Sequence, residues 1–124
     1  MSIRRAIPNL VVEDAEAARA FFGDFLGFDV AMDEPGFKMF ASPSNRTAQI
    51  TVADLKVEGQ DRGIKDAQVS VEVEDATKLH EEAVERGLEI VYPLTDESWG
   101  IRRFFVRDPD GLVINVASHR ATVH

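Results

Sequence analysis

The segment Val12-Glu13-Asp14-Ala15 returns 61 residues later as Val73-Glu74-Asp75-Ala76, and each copy follows an apolar, strand-like stretch. Internal duplication constrains the fold before any other feature, because each element of one copy then has a counterpart in the other. Asp14 and Asp75 are suited to N-caps: an Asp carboxylate accepts hydrogen bonds from the free N–H groups of a first helical turn. Apolar residues follow at helical spacing in both places. Ala18, Phe21, Phe22, Phe25 and Leu26 predict a helix over 15–26 that ends at Gly27, and Ala76, Leu79, Ala83 and Val84 predict a second over 76–86 that ends at Gly87. The helical spacing alone assigns Phe21, Phe22 and Phe25 to the core, whereas His80 falls on the charged side of the second helix.

Strand chemistry follows each glycine, as Phe28-Asp29-Val30 and Leu88-Glu89-Ile90. Two further strands close each copy, at 37–41 and 47–53 and at 101–107 and 112–117, joined by the turn sequences SPSN and DPDG. Aligning those turns gives an offset of 66, so the second copy has a longer loop around Pro93 to Gly100, which carries Trp99. Asp108 and Asp110 are turn residues that bond their own backbone, and Gly111 supplies the positive φ. Arg102 and Arg103 alternate to opposite faces of their strand, so that one of them can pair with a buried acid.

The expected fold class is α+β: two βαβββ modules forming a curved mixed sheet around a cleft, with both helices on the other face. Residues 1–124 form a single domain, with module one at about 3–53, a polar linker at about 54–66 and module two at about 67–118. A chain of this length buries about two-thirds of its unfolded surface, enough for a core without disulfides. The absence of cysteine removes thiolate metal sites and cysteine nucleophiles from consideration. No run approaches the roughly 18 apolar residues of a membrane helix, and the N-terminus lacks the apolar stretch of a secretory signal, so the expectation is a cytoplasmic protein without a membrane partner. Fourteen Lys and Arg against 22 Asp and Glu give a net charge of −8, which disfavours nucleic acid and favours, if anything, a cationic ligand.

The duplicated architecture, with AIPNLVVEDAEAARAFFGDFLGF in the first copy and WGIRRFFVRDPDGLVINV in the second, resembles the vicinal oxygen chelate superfamily of glyoxalases, extradiol dioxygenases and bleomycin-resistance proteins. The Ala-Ile-Pro start, the Gly-Phe after the first helix and the Trp-Gly-x-Arg before RDPDG are most similar to the bleomycin-resistance branch. That resemblance implies a homodimer that holds a drug in a groove between subunits. In that branch an aromatic in the strand after the module's second and the tryptophan of the Trp-Gly pair hold the planar part of the drug, places that Phe37 and Trp99 resemble here.

The superfamily's metalloenzymes point His, Glu or Gln at one divalent ion from the first and last strands of each module. The matching places here are Ile7, Gln49, Gln68 and Asn115, without a carboxylate or imidazole among them. Neutral amide oxygens alone bind divalent ions weakly, so no metal and no other cofactor is expected. Of the three histidines only His119, four residues past Asn115, can share that strand's face, and His124 belongs to the tail. Gln49, Gln68 and Asn115 are instead expected to orient a ligand by hydrogen bonds, with Phe37, Phe40 and Trp99 stacking on it. The expected function is therefore metal-free binding of a planar, antibiotic-like small molecule, with the net charge of −8 favouring a cationic one. The alternative is a metal-dependent lyase, isomerase or dioxygenase of the superfamily with non-standard ligands.

Overall fold

The computed structural model describes residues 2–57 and 63–120; part of the expected linker and His124 lie outside them. Eight strands make one mixed sheet: β1 (Ile3–Val12), β2 (Asp29–Glu34), β3 (Phe37–Ala41), β4 (Gln49–Asp54), β5 (Val69–Val73), β6 (Ile90–Asp96), β7 (Ile101–Arg107) and β8 (Val113–His119). Their order across the sheet is β2-β3-β4-β1-β5-β8-β7-β6. Within each module the first strand lies parallel to the last, β1 on β4 and β5 on β8, and the modules meet where β1 runs antiparallel to β5. Module pairing is thus completed inside one chain.

Asp14 accepts from the N–H groups of Glu16 and Ala17 and opens helix α1 (Ala15–Arg19), and Asp75 accepts from that of Lys78 and opens α2 (Ala76–Glu85). The last strand of each module adds a second cap: Asp54 Oδ2 accepts from Ala15 N at 3.4 Å and Ser118 Oγ from Ala76 N at 3.1 Å. Orphan N–H groups of each first turn are thus bonded to the sheet itself, which fixes where the helix lands.

The first helix differs from expectation past Arg19. Residues Ala20–Phe25 form a π-helical turn, in which Leu26 N donates to Phe21 O five residues back. The wider turn breaks the three-and-four spacing, so only Phe22 packs inward, 5.3 Å from Phe40 and 6.3 Å from Phe28. Phe21 and Phe25 are 52% and 73% exposed, which corrects their expected place in the core, and Leu26 beside them is 50% exposed. A second correction concerns the loop expected at Pro93–Gly100: β6 runs on to Asp96, and only a four-residue turn separates it from β7. The extra length of module two is a longer β-hairpin.

Beneath α2 the core contains Val73, Ala76, Ala83, Phe104 and Val116, packed by Leu79, Ile90 and Val106. His80 belongs to this side rather than to the solvated one, with its ring edge-on to Phe104 at 5.1 Å. On the opposite, concave face Phe37, Ala53 and Ile64 form one apolar cluster with Met32, and Ala67, Phe105 and Val113 another with Tyr92.

Candidate functional site

The concave face encloses a cavity of about 450 Å³ lined from both modules of the one chain. A groove shared between subunits is therefore not needed to complete it. Its floor is a hydrogen-bonded row across four adjacent strands. Thr51 Oγ1 on β4 donates to Asn9 Oδ1 on β1 at 2.7 Å, Asn9 Nδ2 donates to Ser70 Oγ on β5 at 2.9 Å, and Asn115 Nδ2 on β8 donates to the same Ser70 oxygen at 2.9 Å. All four residues are buried. Register makes the row symmetric: Asn9 pairs with Thr51 as Ser70 pairs with Asn115, so Thr51, not Gln49, is the counterpart of Asn115. The expected offset of 66 slips by two residues there, which preserves the face but not the partner.

One end of the cavity is charged. Arg5 Nε lies on the Glu72 carboxylate, Arg5 Nη1 donates to Gln49 Oε1 at 2.9 Å, and His119 Nε2 is 3.4 Å from Glu72 and 3.4 Å from Arg5 Nη2. At the other side Arg103 is buried among rings, 5.4 Å from the centroid of Tyr92, 5.3 Å from that of Trp99 and 5.1 Å from that of Phe105. Glu97 neutralises it, at 2.6 Å. Trp99 sits on the turn of the β6–β7 hairpin, which Arg102 clamps by two bonds to Asp96, at 2.6 and 3.1 Å. The Arg102 guanidinium, helped by Arg120, holds the Asp96 carboxyl below its ordinary 3.8 against the opposing effect of burial. Met32, Phe37, Met39 and Ile64 supply the apolar wall.

Of the residues singled out from sequence, Phe37, Trp99 and Asn115 line the cavity, as does His119 at its rim. Gln49 stands behind the wall, holding Arg5 and donating from Nε2 to Arg46 O at 2.8 Å. Gln68 does not reach the cavity: it is exposed, and its Oε1 accepts from Val113 N at 2.8 Å, tying β5 to β8. Phe40 is fully buried on the helix side against Phe22, because a residue three along from Phe37 in a strand must face the other way. Sequence reasoning missed Arg5, Asn9, Ser70 and Glu72. For Asn9 and Ser70 a signal existed, since they stand at the repeat offset of 61 and each is an uncharged polar side chain between two apolar neighbours.

The places from which a divalent cation would be held do not fit one. Ile7 offers no donor, Gln68 turns to the backbone, Gln49 is engaged by Arg5, and the guanidinium of Arg5 lies on Glu72, where it repels a cation. Among the described residues no group of three or more His, Asp or Glu side chains is placed to bind a metal.

Two βαβββ modules joined edge to edge, helices outside and a cavity on the inner face, define a class of protein by architecture. The chain belongs to the Glyoxalase/Bleomycin resistance protein/Dioxygenase superfamily, whose sequence profile matches residues 5–116. Among curated proteins no sequence matches it. Solved structures do. A member of the same superfamily from Vibrio splendidus 12B01 superposes with a TM-score of 0.70 at 22% identity, over 94% of this chain and 99% of that one. The methylmalonyl-CoA epimerase of Mycobacterium tuberculosis gives 0.73 at 20% identity, over 94% and 87%. A Streptomyces coelicolor methylmalonyl-CoA epimerase in complex with 2-nitronate-propionyl-CoA gives 0.70 at 15% identity, over 97% and 100%. At these identities the likeness is one of fold.

Proposed function

We propose that this chain is a metal-independent, cytoplasmic binding protein for a planar, antibiotic-like small molecule, which it holds in the concave cavity. The observation that carries the reading is the cavity's make-up: an apolar wall with Phe37 and Trp99, over a floor of convergent hydrogen-bonding groups. A volume of about 450 Å³ suits a drug-sized molecule. The cationic character suggested by net charge has no support in the site. Arg103 already sits at cation–π distance from Trp99, and with Arg5 it places two guanidinium groups in the wall. A neutral aromatic body fits better.

Trp99 is the sole tryptophan, so its emission reports the cavity. Titration with planar drug-like compounds, neutral and cationic, should give saturable quenching by the neutral ones, and Zn²⁺, Ni²⁺ or Mg²⁺ should leave the melting temperature unchanged. A saturable stabilisation at one ion per chain contradicts the metal-independent reading and favours a metal-dependent enzyme instead.

A further inference from the structure

The polar row has an odd chemistry at its module-two end. Ser70 Oγ accepts two hydrogen bonds, from Asn9 Nδ2 and Asn115 Nδ2, both at 2.9 Å. A hydroxyl oxygen has two lone pairs, so both are used and the O–H proton remains to be donated. No acceptor for that proton is found among the described residues. The same holds in mirror image for Asn115: its amide nitrogen is spent on Ser70, while its Oδ1, buried, has no hydrogen-bond partner among the described residues. Both residues are at least nine-tenths buried, at 7% and 5% exposure, and both line the cavity. Leaving such groups unpaired is costly, so a native site holds something that satisfies them.

We infer that Ser70 and Asn115 form a donor–acceptor doublet for the edge of a cis-lactam or primary carboxamide on the bound molecule. The ligand's carbonyl oxygen accepts from the Ser70 hydroxyl, and its adjacent N–H donates to Asn115 Oδ1. A carboxylate is the wrong partner, since it has only acceptors and would face the Asn115 oxygen with like partial charge. A lactone fails in the same place. The row supports the assignment from behind: Thr51 donates to Asn9 Oδ1 at 2.7 Å, which turns the Asn9 amide nitrogen toward Ser70 and thereby commits the second lone pair.

This inference rests on the reading of the cavity as a small-molecule site, and the probes separate the two. Calorimetric titration of the full chain uses 2-quinolone, a planar bicyclic lactam; coumarin, its lactone of the same shape; and quinoline-2-carboxylate. The expected result is that 2-quinolone binds at least tenfold more tightly than either of the others, the size of effect that an unmade buried hydrogen bond produces. Ser70→Ala should weaken 2-quinolone and coumarin alike, because both present the carbonyl that its hydroxyl meets, and should leave the preference between them, which rests on Asn115 Oδ1, in place. Asn115→Thr, which installs the residue found at the equivalent Thr51, adds a donor and should shift preference toward the carboxylate. Binding of 2-quinolone and coumarin within threefold of each other overturns the doublet and leaves the cavity reading standing, as does tighter binding of the carboxylate to the unaltered chain. Failure of all three to bind sinks the cavity reading and the doublet with it.

Discussion

Trp99 and Arg103 form a unit. The indole is 40% exposed and lies over a guanidinium that is itself buried, so the ring shields a charge as well as facing the cavity. Trp99→Ala should therefore cost about 1 kcal/mol of stability through the lost cation–π contact and about tenfold in ligand affinity through lost stacking. Thermal melts and titration give the two numbers separately, and an affinity unchanged by the substitution would remove Trp99 from the site. Glu97 matters in a different way. Its carboxylate stands 2.6 Å from Arg103 and accepts from the Tyr92 hydroxyl, so Glu97→Ala takes the counter-charge from a buried cation. Breaking one side of a buried pair costs about 3 kcal/mol, and urea denaturation should show a loss of that order. Legibility at this scale followed parity. Phe37, Trp99 and Asn115 were readable as cavity residues, and the pairing of one of Arg102 and Arg103 with a buried acid was readable as well. Phe40 was misplaced although its spacing of three from Phe37 in one strand already put them on opposite faces. Glu72 and Arg5 were not legible, because an ion pair 67 residues apart in sequence depends on which strands lie side by side.

Secondary structure was legible wherever a cap or a turn residue punctuates it. The helix starts at Asp14 and Asp75, the ends near Gly27 and Gly87, and strands β3 and β7 agree with their expected bounds. The π-helical turn was not, since nothing in AFFGDF distinguishes it from an α-helical run, and it exposes two of the three phenylalanines. The β6–β7 hairpin is the element on which the site depends most, for it carries Trp99, and Asp96 clamps it. A carboxyl held below its ordinary value stabilises the fold above the unfolded pKa, and the effect is lost as pH falls through the lower, folded one. Acidification from about pH 5 should therefore loosen the hairpin and shift the Trp99 emission before the core melts. Asp96→Asn should show the shifted emission already at neutral pH, and a variant whose acid profile matches that of the unaltered chain would show that the clamp is not what orders the turn.

At the scale of the molecule, the concave face is occupied by the cavity and the helix face is only partly covered. Phe21, Phe25 and Leu26 stand out on the π-helical turn, and Ala6, Pro8 and Leu10 are exposed on the central strand between the helices. Exposed aromatic and aliphatic side chains gathered on one face are an interaction surface in the making. We propose a homodimer through this outer face, with each chain keeping its own cavity. Light scattering at micromolar concentration should give twice the 13.8 kDa of one chain, and Phe25→Ser should lower that mass while leaving the monomer's stability within about 0.5 kcal/mol. A single-chain mass for the unaltered protein at all concentrations would refute it. The described residues contain no helix long and apolar enough to cross a membrane.

The repeat places Phe37 and Arg103 at equivalent positions, each paired to an alanine of its module's last strand, Ala53 and Ala117. Two identical modules would enclose a palindromic chamber, which a guest could enter in either of two poses of equal energy. Replacing one phenyl ring by a guanidinium breaks that degeneracy. One lobe now presents a phenyl ring and the other a guanidinium paired to Glu97, with Asn115 and Ser70 on the module-two strands that the latter shares. The cavity has a head and a tail, so the two ends of a molecule lying in it would meet different chemistry.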